Sequence, residues 1–375
     1  VYCRTFYILK FNCIYKTDNT IPIHAMTSEL FNVYKTTIVD EGKKKDDLTK
    51  NKKQTGRYGL PLEVKYCIKC NVTNQKPTSI NEYQHDKNTL QIPIDFDNNN
   101  ICHACRIVEK KWNGSIDWKE REKELKDFCD RYKNHKGQYN CLIGGSGGKD
   151  SAFQSHILKY KYGMRPLTIT WAPHIYTDIG WKNFQNWIGI GGFDNYLFTP
   201  NGKIHRYLTR RAVINILHPF QPFIIGQKNF AAKLAYLFNI PLIFYGESVS
   251  DYGTKLDNEK QFSTKIEDSH QGFTQDPISS MNIKDVKLGG DPISYHIEQG
   301  YNMNDFECYL PLDISKFKER KIETHFLGYY LKWIPQENFY YAAENTGFQV
   351  NNERIEGTYQ KYASIDDKTD GFFYY

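Results

Sequence analysis

A chain of 375 residues with 40% hydrophobic and 25% charged residues has the composition of a soluble globular protein and room for two or three domains with real cores. Its formal charge of +6 sits mostly in residues 1–56, which carry ten Lys/Arg against six Asp/Glu, so the rest is near neutral and demands no nucleic-acid surface. No run of 18 apolar residues offers a membrane span, and nine cysteines are too sparse for a secreted disulfide scaffold.

The opening stretch, "VYCRTFYILKFNCIY", is apolar but broken by Arg4 and Lys10, and no small-residue cleavage site follows it, so it makes a poor signal peptide. The first methionine is Met26, and residues 1–25 read as an upstream read-through or an incomplete gene start. Residues 42–56, "GKKKDDLTKNKKQTG", form a charged linker. Residues 1–56 are therefore expected to be a disordered or artefactual extension, with the fold beginning near "RYGLPLEVKYC".

Residues 57–115 hold two pairs, Cys67-x-x-Cys70 and Cys102-x-x-Cys105, and few helical signals. Two thiolate pairs on knuckle turns can close one tetrahedral Zn²⁺ site, and four cysteines with no open position make that site structural. The spacer of 31 residues exceeds that of short zinc ribbons, so an extended hairpin must fill it. An iron–sulfur cluster and unrelated free thiols stay as rivals, and His103 reads as a bystander. Paired cysteines of this kind suit a reducing compartment, hence the cytoplasm.

From residue 116 to 260 the pattern alternates. "DWKEREKELKDFCDRY" is a helix with a capping-box-like start at Asp117 and Glu120. Strands follow at "NCLIG", "PLTITWA", "NYLFTP" and "PLIFYGES", separated by helices at "SAFQSHILKYKYG", "DIGWKNFQNWI", "HRYLTRRAVINIL" and "QKNFAAKLAYLFNI". "PFIIG" is ambiguous. Such alternation implies βαβ units and a parallel sheet covered on both faces, an α/β Rossmann-like domain. Residues 251–310 are polar and loop-like. Residues 311–375 combine a helical segment, "ISKFKERKIETHFLGYYLKWI", with a polar, Tyr-rich end, so 261–375 reads as a mostly helical and loop region.

Between the first strand and its helix lies "GGSGGKDS", residues 144–151. It is not a Walker A loop, because position 143 is Ile and Lys149 is followed by Asp150, and it lacks the third glycine of a dinucleotide fingerprint. Its glycines still let backbone N–H groups converge on an anion at a helix N-terminus, and Ser146 and Ser151 add hydroxyls. Ser146-Gly147-Gly148-Lys149-Asp150-Ser151 resembles the SGG-x-DS signature of the PP-loop ATP pyrophosphatases. That resemblance implies an adenine nucleotide alpha hydrolase-like fold and cleavage of ATP between its α- and β-phosphates, with AMP transferred to a carbonyl or amide oxygen. It also implies that Gly145, Ser146, Gly147, Gly148 and Ser151 hold the diphosphate, that Lys149 lies near the α-phosphate, and that Asp150 caps the helix or acts through Mg²⁺. Adenine is then expected near "TITWAP", at Trp171.

The chain further resembles the N-acetyl sugar amidotransferases of surface-polysaccharide and nonulosonic-acid (pseudaminic and legionaminic acid) pathways. The resemblance runs through "YGLPLEVKYCIKC", "GGSGGKDSAFQSHILKYKYGMRPLTITWAP", "GGFDNYLFTPNGKIHRYLTRRA", "HPFQPFIIGQKNFAAKLAYLFNIPLIFYGES" and "NNERIEGTYQKYASIDDK". It implies adenylation of an acetamido oxygen on a nucleotide-linked sugar, displacement of AMP by ammonia, and a separate glutaminase subunit with a cyclase-like companion. The family continues beyond residue 375, so the chain reads as truncated. At "GQKNF", Gln227, Lys228 and Asn229 are placed at a helix N-terminus where an anionic sugar nucleotide or AMP can dock; a solvated helix start is the plain alternative. Gly246 and Glu247 end a strand facing the same crevice, where Glu247 can orient ammonia, bind Mg²⁺ or cap the next segment. His174, His205 and His218 read as structural, and Arg206, Arg210 and Arg211 as a phosphate cluster or a wet helix face. Two other functions stay open: a PP-loop tRNA thiolase, and a non-catalytic zinc-ribbon binding module. Cysteine at the place of "GQKNF" would have favoured the thiolase.

Overall fold

In the computed structural model, which describes residues 59–77, 82–246, 283–355 and 360–370, the chain first runs through turns and isolated bridges (Tyr66 with Thr73, Phe96 with Cys102). It then enters α1 (His103–Trp112), a helix the sequence did not announce. Cys102 stands at its N-cap and Ile107 is buried, while Lys110 and Lys111 fill the last turn, where the helix dipole favours cations. The expected extension lies outside the described residues, and residues 55–375 make one compact unit. α2 (Trp118–Tyr132) starts at Asp117, whose carboxylate accepts from the amides of Lys119 (3.0 Å) and Glu120 (3.1 Å). It buries Leu125, Phe128 and Cys129 along one stripe.

The alternation that follows is β1 (Cys141–Gly144), α3 (Lys149–Tyr160), β2 (Pro166–Trp171), α4 (Asp178–Gly189), β3 (Asp194–Phe198), α5 (Gly202–Ile216), α6 (Gln221–Leu237) and β4 (Leu242–Tyr245). A small hairpin, β5 (Lys287–Leu288) with β6 (Asp291–Pro292), leads to α7 (Ile293–Glu298) and a 3₁₀ segment at Met303–Tyr309. α8 (Ile314–Glu319), β7 (Glu323–Phe326), α9 (Leu327–Tyr330) and α10 (Pro335–Thr346) complete the unit. The sheet order is β3-β2-β1-β4-β7 and every pairing is parallel, so the fold is an α/β parallel-sheet domain preceded by a four-cysteine module.

β1 sits centrally: Leu142 registers with Leu167 and Ile243, and Ile143 with Thr168 and Phe244. Side-chain alternation divides its cover. Leu142 and Ile243 pack beneath α5 and α6 with Leu208, Ile225 and Phe230, whereas Ile143 and Phe244 pack against α2 and α3 with Leu125, Phe128 and Leu158. Leu142, Ile143, Ile243 and Phe244 are fully buried, each such burial being worth about 1.5–3 kcal/mol. Edge strand β3 is partly wet, with Tyr196 and Leu197 exposed. Among the described residues no helix is long and apolar enough to cross a membrane.

Three expectations change. "PFIIG" is neither strand nor loop; it is the first half of α6, a single helix from Gln221 that accepts Pro222 in its first turn. Consequently Gln227, Lys228 and Asn229 stand in the middle of a helix, not at its N-terminus. The helical segment read over 314–334 is interrupted, because Lys321 takes a left-handed φ of +49° and the chain re-emerges as β7 to close the sheet edge. Residues 283–310, read as loop, carry the hairpin, α7 and the 3₁₀ segment, which packs on α6.

Candidate functional site

The site begins where β1 ends. The amide of Gly145 still pairs with Ile169 O (2.9 Å), after which the chain turns and enters α3 at Lys149. Gly148 is the N-cap and no side chain caps the helix, which leaves its leading amides directed at the loop. Gly147 has φ of +88°, and a Cβ there would lie 2.6 Å from Cα of Phe184 in α4, so both dihedral and clearance demand glycine. Ser151 packs on Gly145 and its hydroxyl donates to Gly148 O (2.9 Å). Because β1 lies between β2 and β4, where strand order reverses, the loop opens at the topological switch point of the sheet.

A cavity of about 550 Å³ occupies that crevice, within the size range of ligand sites. It brings together all of residues 145–151 with Trp171, Gln227, Lys228 and Gly246. Lys149 is buried, pairs with the Asp150 carboxylate and lies 5.5 Å from the ring centre of Tyr362. Asp150 also accepts from Asn338 Nδ2 (3.3 Å) in α10. Trp171 is packed on by Gly226, Phe198, Phe230 and Tyr309, which makes its indole a wall of the cavity rather than an open stacking face. Burial lowers the Lys228 ammonium below its ordinary range, with Glu82 opposing the shift.

Other predicted residues fall elsewhere. Asn229 turns away from the cavity, since successive helical residues point about 100° apart; its amide donates to Tyr83 Oη and to Tyr309 O (2.8 Å). That contact seats Tyr83 of the cysteine module in the main core. Glu247 lies outside the described residues. Burial pushes His205 down to about 4, and its Nδ1 stands 2.8 Å from Tyr309 Oη. Arg211 is bound to Asp291 (2.7 Å), Arg206 and Arg210 are exposed, and none of the three lines the cavity.

The structure adds Asn338, Tyr362 and Asp366, which come from more than 180 residues beyond the loop. Burial raises the Asp366 carboxyl above its usual range, partly offset by a hydrogen bond from Ser146. Asp370 is pushed up to about 7 by burial and by Asp366 and Asp367. For Asp367 burial acts upward too, but hydrogen bonds from His174 and Thr369 outweigh it and hold the carboxyl low.

In the module, Cys67, Cys70, Cys102 and Cys105 gather with all four sulfurs within 4.8 Å of one another; Cys67 and Cys105 are 3.8 Å apart, Cys70 and Cys102 3.6 Å. A tetrahedron of thiolates at ~2.3 Å from one ion has edges of about 3.8 Å, so the set fits a single ion. A four-iron cluster spreads its cysteines over separate irons and requires a wider cage. Burial raises the Cys67 thiol, but backbone N–H groups of Cys102, Cys70 and Lys69 outweigh this and draw it down to about 6, whereas burial and the neighbouring sulfurs push Cys102 and Cys105 up.

No protein-family model matches this chain. An uncharacterized protein of Methanocaldococcus jannaschii is 29% identical over 85 residues, which cover 23% of this chain and 29% of that protein, so the match spans less than a third of the relative's length. Among solved structures, the chain is similar to the U34-tRNA thiolase NcsA from Methanococcus maripaludis with its [4Fe-4S] cluster (14% identity, TM-score 0.30, covering 79% of this chain and 77% of that one). It is also similar to the NH3-dependent NAD synthetase from Campylobacter jejuni (15%, 0.28, 55% and 94%) and the NMN synthetase from Francisella tularensis (18%, 0.26, 34% and 54%). Likenesses this faint say nothing of activity, and the fold class rests on the parallel sheet and its loop.

Proposed function

We propose that the chain is an ATP-dependent amidotransferase that converts the acetamido group of a nucleotide-linked sugar into an acetamidino group. The amide oxygen attacks the α-phosphorus of ATP, the bond to the β-phosphate breaks and pyrophosphate leaves. Ammonia then adds to the activated carbon, and AMP departs with the former amide oxygen. One observation carries the reading: seven consecutive residues, 145–151, line a cavity at the switch point, ahead of a helix whose N-terminus no side chain caps.

In this reading Ser146, Ser151 and the loop amides bind the leaving diphosphate, and Lys149 stabilises charge at the α-phosphate. Asp150, a carboxylate on the cavity wall, suits a hard oxygen-seeking ion, and Mg²⁺ held there would neutralise phosphate charge. Zn²⁺ in the four-cysteine set is structural. Gln227 and Lys228 face the sugar nucleotide. Among the described residues no cysteine lines the cavity, which supports ammonia delivered by a separate glutaminase subunit, with a cyclase-like companion, and speaks against a sulfur relay.

The test incubates the full chain with ATP–Mg²⁺, ammonium and a panel of UDP- and CMP-linked acetamido sugars. AMP release with a product lighter by the difference between O and NH is expected. AMP release driven by tRNA instead would replace this reading with a thiolase.

A further inference from the structure

Resting on the reading of the cavity as a nucleotide site, we propose that Asp366 is a positioning residue that makes polyphosphate binding at the 145–151 loop conditional on a divalent cation. The segment 360–370 lies across the β2–α4 connection and is fastened there at several points. Thr177 Oγ1 donates to Ile365 O, the Thr177 amide donates to Asp366 O (3.2 Å), and the Lys368 amide donates to Ile175 O (2.8 Å). Asp367 accepts from the His174 amide (2.6 Å). A Cβ on Gly180 would lie 2.5 Å from Asp366 Cα, so the backbone of Asp366 rests directly on α4. Fastened on both sides, Asp366 cannot retreat without unpicking the strap.

Its carboxylate faces the loop. Asp366 lines the same cavity as Ser146, whose hydroxyl, which a phosphate oxygen would otherwise engage, lies close enough to oppose the upward push of burial on the Asp366 carboxyl. Carboxylate and phosphate thus compete for one donor, and both are anionic. The local cation does not resolve this, because Lys149 is already paired with Asp150. The other described lysine of the cavity, Lys228, has Glu82 beside it. The described charges that line the cavity are therefore two ammoniums against two carboxylates, with Glu82 acting on Lys228 from outside it. The site thus offers a tri- or tetra-anionic ligand no net positive charge, and such a ligand needs positive charge added with it. A cation seated between Asp366 and the phosphates supplies it, while Asp366 continues to orient Ser146.

Calorimetric titration of the full chain with ATP, in Mg²⁺-free buffer without chelator and again at saturating Mg²⁺, tests the proposal. Wild type should bind at least about tenfold more weakly without Mg²⁺; Asp366→Asn should recover about tenfold in that buffer, the scale of one unit charge removed beside a phosphate, and lose most of the Mg²⁺ effect. Asp366→Ser, neutral and shorter, is the second variant should the asparagine disturb folding, and it should behave alike. If the neutral variants keep the full Mg²⁺ dependence of wild type, the role of Asp366 is overturned while the nucleotide reading stands. If wild type binds ATP under neither condition, the nucleotide reading fails and this role with it.

Discussion

The four-cysteine module and the parallel sheet stand on different physical footings, although both belong to one compact unit. The sheet buries whole strands: β1, β2 and β4 have almost no exposed residue, and two helical layers cover them. The module's own core amounts to Cys67, Ile94 and Cys102 with a few half-buried neighbours, while Leu62, Val64, Ile68, Leu90 and Ile92 remain about half exposed or more. So little buried surface cannot offset the entropy of ordering some fifty residues. The contrast sets a sheet held by burial against a module whose densest feature is four clustered thiols.

The largest expected effect breaks the module alone. With Zn²⁺ held by the four cysteines as proposed, Cys102→Ser removes one of its four ligands, and structural zinc sites supply roughly 10–16 kcal/mol of apparent folding energy. Hydrogen exchange should show residues 59–112 losing protection while β1, β2 and β4 keep theirs; a module that stays protected would erase the contrast. Next, Gly147→Ala strikes the sheet side. A left-handed φ and the contact with Phe184 should together cost about 2–4 kcal/mol, read as a lower urea midpoint with unchanged slope, and ATP binding should vanish.

A smaller change addresses the joint between the regions. Asn229→Ala strips a partner from Tyr83 Oη and from Tyr309 O, at about 1–3 kcal/mol. A double-mutant cycle with Tyr83→Phe should give strong coupling, and simple additivity would mean that the module is not fastened there. The smallest effect concerns the strap. Asp370 titrates near 7 in the fold, above its value in the unfolded chain, so the folded strap holds the proton more tightly. That contribution is fully present below about pH 4 and is lost as pH rises through about 7. Amide protection in 360–370 should fall over that interval, and Asp370→Asn should flatten the profile.

Much of this was legible from residue order. The parallel sheet shows because its strands are short apolar runs set between amphipathic helices, and the loop shows because its parts are contiguous. The paired cysteines likewise declare their spacing. What escaped notice did so for physical reasons. α6 is buried nearly all round, so "PFIIG" has no helical stripe to read. β7 hides behind Lys321, whose left-handed turn has no glycine to mark it. Asn229 neighbours two cavity residues in sequence yet points elsewhere, because helical rotation separates adjacent side chains. Asp366 and Asn338 reach the loop only through tertiary packing, which no local pattern encodes.

The late position of β7 has a consequence for biosynthesis. A ribosome delivers β1 to β4 in turn, but the outer rim of β4 stays unpaired until residues near 323 emerge, some eighty positions later. During that interval the nascent chain displays a bare apolar strand, a natural point for chaperone capture or premature aggregation.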